Sequence, residues 1–218
     1  MRDYKWEKAR EIVFDIEHLY NIFERRSLFE AREGERGRFW GHLPPTEVIK
    51  IFFEVVNNIC APKKILEIGT CLGYSSTYML QTFPESIVDS IDIRRQTCHG
   101  IEGIGYVEKR YPDRFRFTQG DSKELDKYYK PDVFDFAFID GDHGYSMAVN
   151  DIRKCKSLNI PIIALDNVYG TPSVKKAAKD EGLRLIFEQF YTAVHHFNDG
   201  VATPETAVYF EDSIAVYG

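Results

Sequence analysis

The sequence predicts a doubly wound α/β fold, with a mostly parallel seven-stranded sheet, an antiparallel strand at its edge, and helices ahead of the first strand. Three observations predict it. From Pro62 onward, short apolar runs alternate with helical patterns, as a parallel sheet clothed by helices on both faces requires. The run Ile160-Pro161-Ile162-Ile163-Ala164-Leu165 is apolar almost throughout, as befits a strand covered on both sides. The turn Gly69-Thr70-Cys71-Leu72-Gly73 sits between a strand and a helix, where glycines permit a sharp reversal of the chain.

The elements follow in order. Residues 4–30 place Trp6, Ala9, Ile12, Val13, Ile16, Leu19, Tyr20 and Phe23 at helical spacing, with charged residues on the other face. Ala31 to His42, rich in charge and glycine, reads as a loop. Pro44 and Pro45 open a second helix that runs to about Ile59. Strands are expected over Lys64–Ile68, Ile87–Ile93, Arg114–Thr118, Phe134–Ile139 and Ile160–Leu165. Helices are expected from Ser75 to Thr82, across Arg94 to Lys109, and over Lys123–Tyr129, Tyr145–Lys156 and Ser173–Glu181. Leu183–Phe190 and Ala207–Glu211 have no helix between them. They read as an antiparallel pair at the sheet edge, joined by a long loop from Tyr191 to Glu205. We divide the chain into a helix-and-loop cap, 1–43, and the α/β domain, 44–218.

The 218 residues suit one such domain with a core large enough to need neither disulfides nor structural metals. A formal net charge of −6 disfavours a broad nucleic-acid surface. The four cysteines, Cys60, Cys71, Cys98 and Cys155, show no zinc spacing and read as reduced thiols. The N-terminus lacks the apolar stretch of a signal peptide, and no apolar run approaches the ~20 residues of a membrane helix. A cytoplasmic protein bound to neither membrane nor nucleic acid is the expectation.

Four constellations carry chemistry. The turn has the form E-x-G-x-x-x-G, from Glu67 through Gly69 to Gly73, rather than G-x-G-x-x-G. A carboxylate at the strand end disfavours a pyrophosphate and suits a ligand bearing an ammonium group, directly or through water. Asp92 ends the second strand, a position from which a carboxylate accepts from both hydroxyls of a ribose. That does not separate a dinucleotide from another nucleoside ligand. Asp121 and Ser122, after the third strand, suit an adenine edge, a helix N-cap, or both. Asp140 ends the fourth strand, and Asp166 and Asn167 end the fifth. In a parallel sheet these ends lie side by side. Three oxygen donors there, completed by water, suit Mg2+ or a similar divalent cation, and strand-end capping is the alternative.

These residues carry a resemblance. Leu66 to Ser75, Phe138-Ile139-Asp140-Gly141-Asp142-His143 and Leu165-Asp166-Asn167 are together similar to motifs of the class I S-adenosylmethionine-dependent O-methyltransferases. The likeness is greatest to the cation-dependent catechol and caffeoyl-CoA O-methyltransferase group. It spans roughly residues 44–190. It implies the Rossmann-like methyltransferase fold and transfer of a methyl group from S-adenosyl-L-methionine to a hydroxyl oxygen of a small molecule. Glu67, Gly69 and Gly73 would line the methionine part of that cofactor, Ser75 would touch its carboxylate, and Asp92 would hold the ribose. Asp121 and Ser122 would lie near the adenine, and Asp140, Asp166 and Asn167 would bind the cation.

The group has lysine where this chain has His143, and Asp142 is a rival or additional ligand. His143 is the expected catalytic base, since imidazole titrates near neutrality; orienting Asp140 or Asp142 is its alternative role. Trp40, Tyr169, Tyr191, His195, His196 and Phe197 are candidates for the acceptor pocket. The first helix has an apolar face suited to its own domain or to a second copy, and a homodimer is the expectation. A nucleotide-dependent oxidoreductase and a non-catalytic S-adenosylmethionine-binding scaffold are the competing functions; the missing G-x-G-x-x-G and the intact Asp140, Asp166 and Asn167 set, respectively, count against them.

Overall fold

The structure, a computed structural model, describes residues 46–95, 103–196 and 207–218. The expected cap over 1–43, with Trp40, lies outside the described residues, as do the first part of the expected helix from Arg94 and Phe197. Seven strands form one sheet in the order β3-β2-β1-β4-β5-β7-β6. In chain order these are β1 (Lys64–Ile68), β2 (Ile87–Asp92), β3 (Phe115–Gln119), β4 (Phe136–Ile139), β5 (Ile163–Leu165), β6 (Leu185–His196) and β7 (Ala207–Tyr217). The first five pair in parallel, and β7 runs antiparallel to both β5 and β6. The fold class read from the sequence is therefore the one observed.

The helices are α1 (Thr46–Cys60), α2 (Tyr74–Thr82), α3 (Gly103–Arg110), α4 (Leu125–Tyr128) behind a short 3-10 turn, α5 (Tyr145–Ser157) and α6 (Pro172–Asp180). Strand side chains alternate between two cores. Ile65, Val88, Phe136, Phe138, Ile214 and Val216 face α1, α2 and α3, where Phe52, Phe53, Met79, Leu80 and Ile104 are fully buried. Leu66, Ile68, Ala137, Ile139, Leu165 and Ala215 face α5 and α6. Phe53 meets Phe52, Phe83 and Phe138 edge to face, at centroid distances of 5.4, 5.8 and 5.6 Å. Such pairs contribute about 0.5–1.5 kcal/mol each beyond the area they bury.

The strand boundaries that differ most from expectation are those of β5, β6 and β7, the last running to Tyr217 rather than Glu211. β5 begins at Ile163 rather than Ile160, because Pro161 lacks the N–H that a central strand donates. β6 continues to His196, paired with Ala207, so the stretch from Tyr191 to His196 is strand and not loop. The β-branched Thr192 and Val194 favour that extension. β4 and β1 are neighbours although β2 and β3 intervene in sequence. The strand order thus reverses beside β1, and in open α/β sheets the crevice at such a reversal is where ligands bind.

Candidate active site

The turn after β1 is built on backbone that glycine alone adopts freely. Gly69 has φ +93° and Gly73 has φ +83°, both in the left-handed region. A Cβ on Gly69 would lie 2.1 Å from the Asp140 carbonyl oxygen, so the ends of β1 and β4 touch at this residue. Gly73 closes the turn by donating to the Thr70 carbonyl at 2.7 Å and caps α2, its own carbonyl accepting from the Thr77 N–H and hydroxyl.

Asp92 stands beside this turn. Its Oδ2 accepts from the Thr70 and Cys71 backbone N–H groups at 3.1 and 3.0 Å, and its Oδ1 accepts from the Arg94 N–H at 3.2 Å. The glycine turn and the carboxylate expected to grip a ribose therefore share one rim of the sheet. Ile93, next in the chain, exposes 64% of its surface and gives the rim an apolar patch.

Glu67 and Ser75 meet each other behind the turn. Glu67 is fully buried, on the sheet face that carries α2, and its two oxygens accept from the Ser75, Ser76 and Ser90 hydroxyls. Ser75 is thus spent on Glu67, and Thr70 shares a 2.6 Å hydroxyl contact with Ser90. This network braces the turn from behind. Burial pushes the Glu67 carboxyl up to about 7 against the pull of its three hydroxyls. Between pH 4.5, its ordinary value, and pH 7, the folded state holds a proton the unfolded chain has lost, so stability falls as pH rises through that window. Glu67→Gln is expected to remove that component, on the order of 3 kcal/mol. Urea unfolding of both proteins at pH 5 and pH 8 checks it: the drop between the two pH values must be smaller in the variant.

At the next strand end, Asp121 caps the 3-10 turn by accepting from the Lys123 N–H at 2.9 Å, which is the N-cap alternative. Ser122 is buried and donates to Asp151 of α5 at 2.7 Å. Sequence reasoning did not single out Asp151, a carboxylate on the buried face of an ordinary amphipathic helix.

Asp140 and Asp166 come together across the paired ends of β4 and β5. Asp166 is 1% exposed; its Oδ1 accepts from the Tyr191 hydroxyl at 3.2 Å, and its Oδ2 is buried with no hydrogen-bond partner. Burial holds both carboxyls above their usual range, and the charge of Asp140 pushes Asp166 further. Burial and the Asp166 charge raise the Tyr191 phenol in turn. His143 Nε2 lies 3.4 Å from Asp140 Oδ1, an ionic contact. Burial opposes a charge on the imidazole, but contact with Asp140 and the charges of Asp140, Asp212 and Asp142 outweigh it and raise its pKa. Asp142 is exposed and accepts from the Gly144 N–H at 2.7 Å, a turn-capping position.

Asn167 is buried in the left-handed conformation, φ +55°, which asparagine tolerates better than most residues. Its Nδ2 donates to Asp212 Oδ2 at 2.6 Å. Asp212 on β7 is a residue the sequence reading missed. The available signal was its register: it shares a strand face with the apolar Ile214 and Val216. Tyr169, a pocket candidate, is exposed and meets Phe190 edge to face at 5.5 Å, whereas Tyr191 is buried against Asp166. His195 and His196 lie on β6.

Two carboxylates, one with an unpartnered oxygen, and an amide whose nitrogen is already committed form a hard-oxygen donor set that fits a divalent cation completed by water. Among the described residues, no group of three or more His, Cys, Asp or Glu side chains is arranged to hold a metal ion.

The fold is similar to that of methyltransferases of known structure. Residues 66–168 match the family model described as a methyltransferase domain, a span that contains every site residue from Glu67 to Asn167. The fold is shared with an O-methyltransferase from Bacillus cereus solved with SAH, at 19% identity and TM-score 0.57, covering 93% of this chain and 89% of that one. A protein from Staphylococcus aureus assigned to the caffeoyl-CoA O-methyltransferases matches at 17% identity and TM-score 0.56, covering 98% and 100%. One from Klebsiella pneumoniae assigned as an O-methyltransferase matches at 16% identity and TM-score 0.60, covering 93% and 88%. The resemblance read from the sequence is borne out.

Proposed function

We propose that this protein transfers a methyl group from S-adenosyl-L-methionine to a hydroxyl oxygen of a small molecule, with a divalent cation held by Asp140, Asp166 and Asn167. One observation carries the reading. The left-handed glycine turn, bonded to Asp92, abuts the Asp140 backbone, so the turn and the Asp140 and Asp166 carboxylates share a wall.

The chain's own residues divide the work. Gly69 and Gly73 let a ligand lie against the main chain, and Glu67 with Ser75 holds that turn in shape. Asp92 has acceptor capacity beyond the loop amides for ribose hydroxyls, with Ile93 beside it as an apolar surface for a base. Asp121 and Ser122 bound the same rim at β3. Asp140, Asp166 and Asn167 would hold the divalent cation, which would supply a lowered pKa at an acceptor hydroxyl. His143 takes the hydroxyl proton as general base, and Asp140, 3.4 Å from its Nε2, steadies the imidazolium that results. Holding oxygen and methyl in line at close contact supplies the remaining advantage. The acceptor enters beside Tyr169, and a vicinal diol, able to chelate, is the acceptor class that the donor set suits.

Calorimetry with S-adenosylmethionine, S-adenosylhomocysteine and NAD, each with and without Mg2+, tests the reading. Binding of both S-adenosyl ligands is expected, and Asp92→Ala is expected to weaken it by about 10- to 100-fold through loss of a charge-assisted hydrogen bond pair. Binding of NAD alone overturns the proposal in favour of an oxidoreductase. S-adenosyl binding with no transfer across a panel of hydroxyl acceptors points to a scaffold.

A further inference from the structure

We propose that Asp212 is a positioning residue for the cation site: by taking the Asn167 amide protons, it decides that the oxygen, and not the nitrogen, is the end left for a cation. The inference rests on the cation reading above and extends it to a residue on a different strand.

The two ends of an asparagine amide are nearly the same size but opposite in character. The oxygen binds a cation and the NH2 repels it. A site that uses an asparagine ligand must therefore hold it against rotation by half a turn. An ionised carboxylate only accepts, so it holds the NH2 end and rejects the oxygen end. Asp212 meets that requirement. It is 1% exposed, and its Oδ2 accepts from Asn167 Nδ2 at 2.6 Å. Its Oδ1 accepts from the Gly170 and Ser213 backbone N–H groups at 2.8 and 2.7 Å, which fixes the carboxylate itself.

The surrounding chain is shaped to admit this contact. A Cβ on Gly170 would lie 2.6 Å from Asp212 Oδ2, so only a glycine there leaves the carboxylate its place. The Val168 N–H donates to the Ser213 carbonyl at 2.9 Å, tying the segment after Asn167 to β7 on the far side of the contact. Partners behind metal ligands typically change affinity by about 10- to 100-fold when removed.

The test uses the full chain and Mn2+ as probe, with affinity read by electron paramagnetic resonance of the free ion. Asp212→Asn keeps the shape but allows either end of Asn167 to be held. Mn2+ affinity is expected to fall by about 10- to 100-fold, while S-adenosylhomocysteine affinity without a cation stays within about twofold. In an Asn167→Ala background, Asp212→Asn is expected to cost nothing further, since its effect runs through the amide. An unchanged Mn2+ affinity in Asp212→Asn overturns the proposal, as does an equal loss in the Asn167→Ala background, which makes Asp212 a strut or a bare charge. The reciprocal exchange, Asp212→Asn with Asn167→Asp, keeps the hydrogen bond and the total charge, and serves if the single variant does not fold. A carboxylate has no wrong end, so this exchange is expected to bind Mn2+ at least as tightly as the native chain, and a tenfold loss overturns the proposal. If the native chain binds no Mn2+, the cation reading falls and this inference with it; if it binds and Asp212→Asn binds equally, only the inference falls.

Discussion

Asp166→Asn is expected to make the cation-free protein more stable at neutral pH and to remove methyl transfer. Asp140 and Asp166 are carboxyls side by side, and burial raises both above their ordinary values; the charge of Asp140 adds to the rise at Asp166, whereas contacts with His143 and Asp166 work against it at Asp140. The sign follows from proton counting. Above the carboxylate range of the unfolded chain, near pH 4, that chain has shed protons which the native pair retains, so native stability declines as pH rises. Replacing Asp166 by the neutral amide removes the charge pressed on by Asp140 and, with it, Asp166's share of the decline. The urea midpoint of the variant, with chelator present, should exceed that of the native protein at pH 8, and the gap should close below pH 4. Transfer to a hydroxyl acceptor should meanwhile fall about 1000-fold, several kcal/mol of charge stabilisation at 1.36 kcal/mol per factor of ten. A variant less stable than the native chain at pH 8 without cation contradicts this account of the pair.

Gly69→Ala is expected to be the most damaging single methyl group that can be added to the rim. Two costs combine. The backbone at φ +93° disfavours any Cβ, and the Cβ would lie 2.1 Å from the Asp140 carbonyl oxygen and 2.6 Å from its carbon, both backbone atoms that cannot rotate away. The β1 and β4 ends must separate, which displaces Asp140 as well as the turn. We expect a loss on the order of 3–5 kcal/mol, in the range of severe backbone strain and overpacking. Gly182→Ala is the internal control. Gly182 also has positive φ, +69°, but nothing lies within 4 Å of its Cβ position. That variant should lose only the conformational component, about 1–2 kcal/mol. Urea unfolding of both variants decides: similar losses would mean that the contact with Asp140 carries no weight.

The fold was legible because its signal is periodic. The β1-to-β5 alternation depends on side-chain burial every second or third residue, and burial is what the sequence writes most plainly. The strand ends at Glu67, Asp92, Asp140 and Asp166 were legible for a related reason: a carboxylate closing an apolar run is conspicuous. What was not legible is how those carboxylates are used. Nothing in the spacing of Glu67, Ser75, Ser76 and Ser90 says that three hydroxyls from two elements converge on one buried acid. The register linking Glu67 to Ser90 across β1 and β2 supplies that information. The glycine at 69 showed in the sequence as a turn former, but its contact with Asp140, 71 positions away, belongs to the packing of β1 on β4. Asp212 was hidden for the same reason. It lies one residue beyond the expected end of its strand at Glu211, and the stretch of β6 beyond Phe190 was expected as loop. Local pattern reveals which residues are unusual, and pairing between distant strands reveals what they meet.

The placement of β7 has a consequence for how the molecule is assembled. Of the seven strands it is the latest in sequence, yet it lies inside the sheet, between β5 and β6. Among the described residues β6 pairs with β7 alone, so it waits unzipped until β7 arrives to join it to the rest. The nucleoside-facing half, drawn from β1, β2 and β3, needs only neighbours made early, whereas the half holding Asn167 stays unfinished until Asp212 is threaded home. Because such distant pairings are slow to close, a newly synthesised chain passes through a stage in which one half of its rim is organised and the other is not.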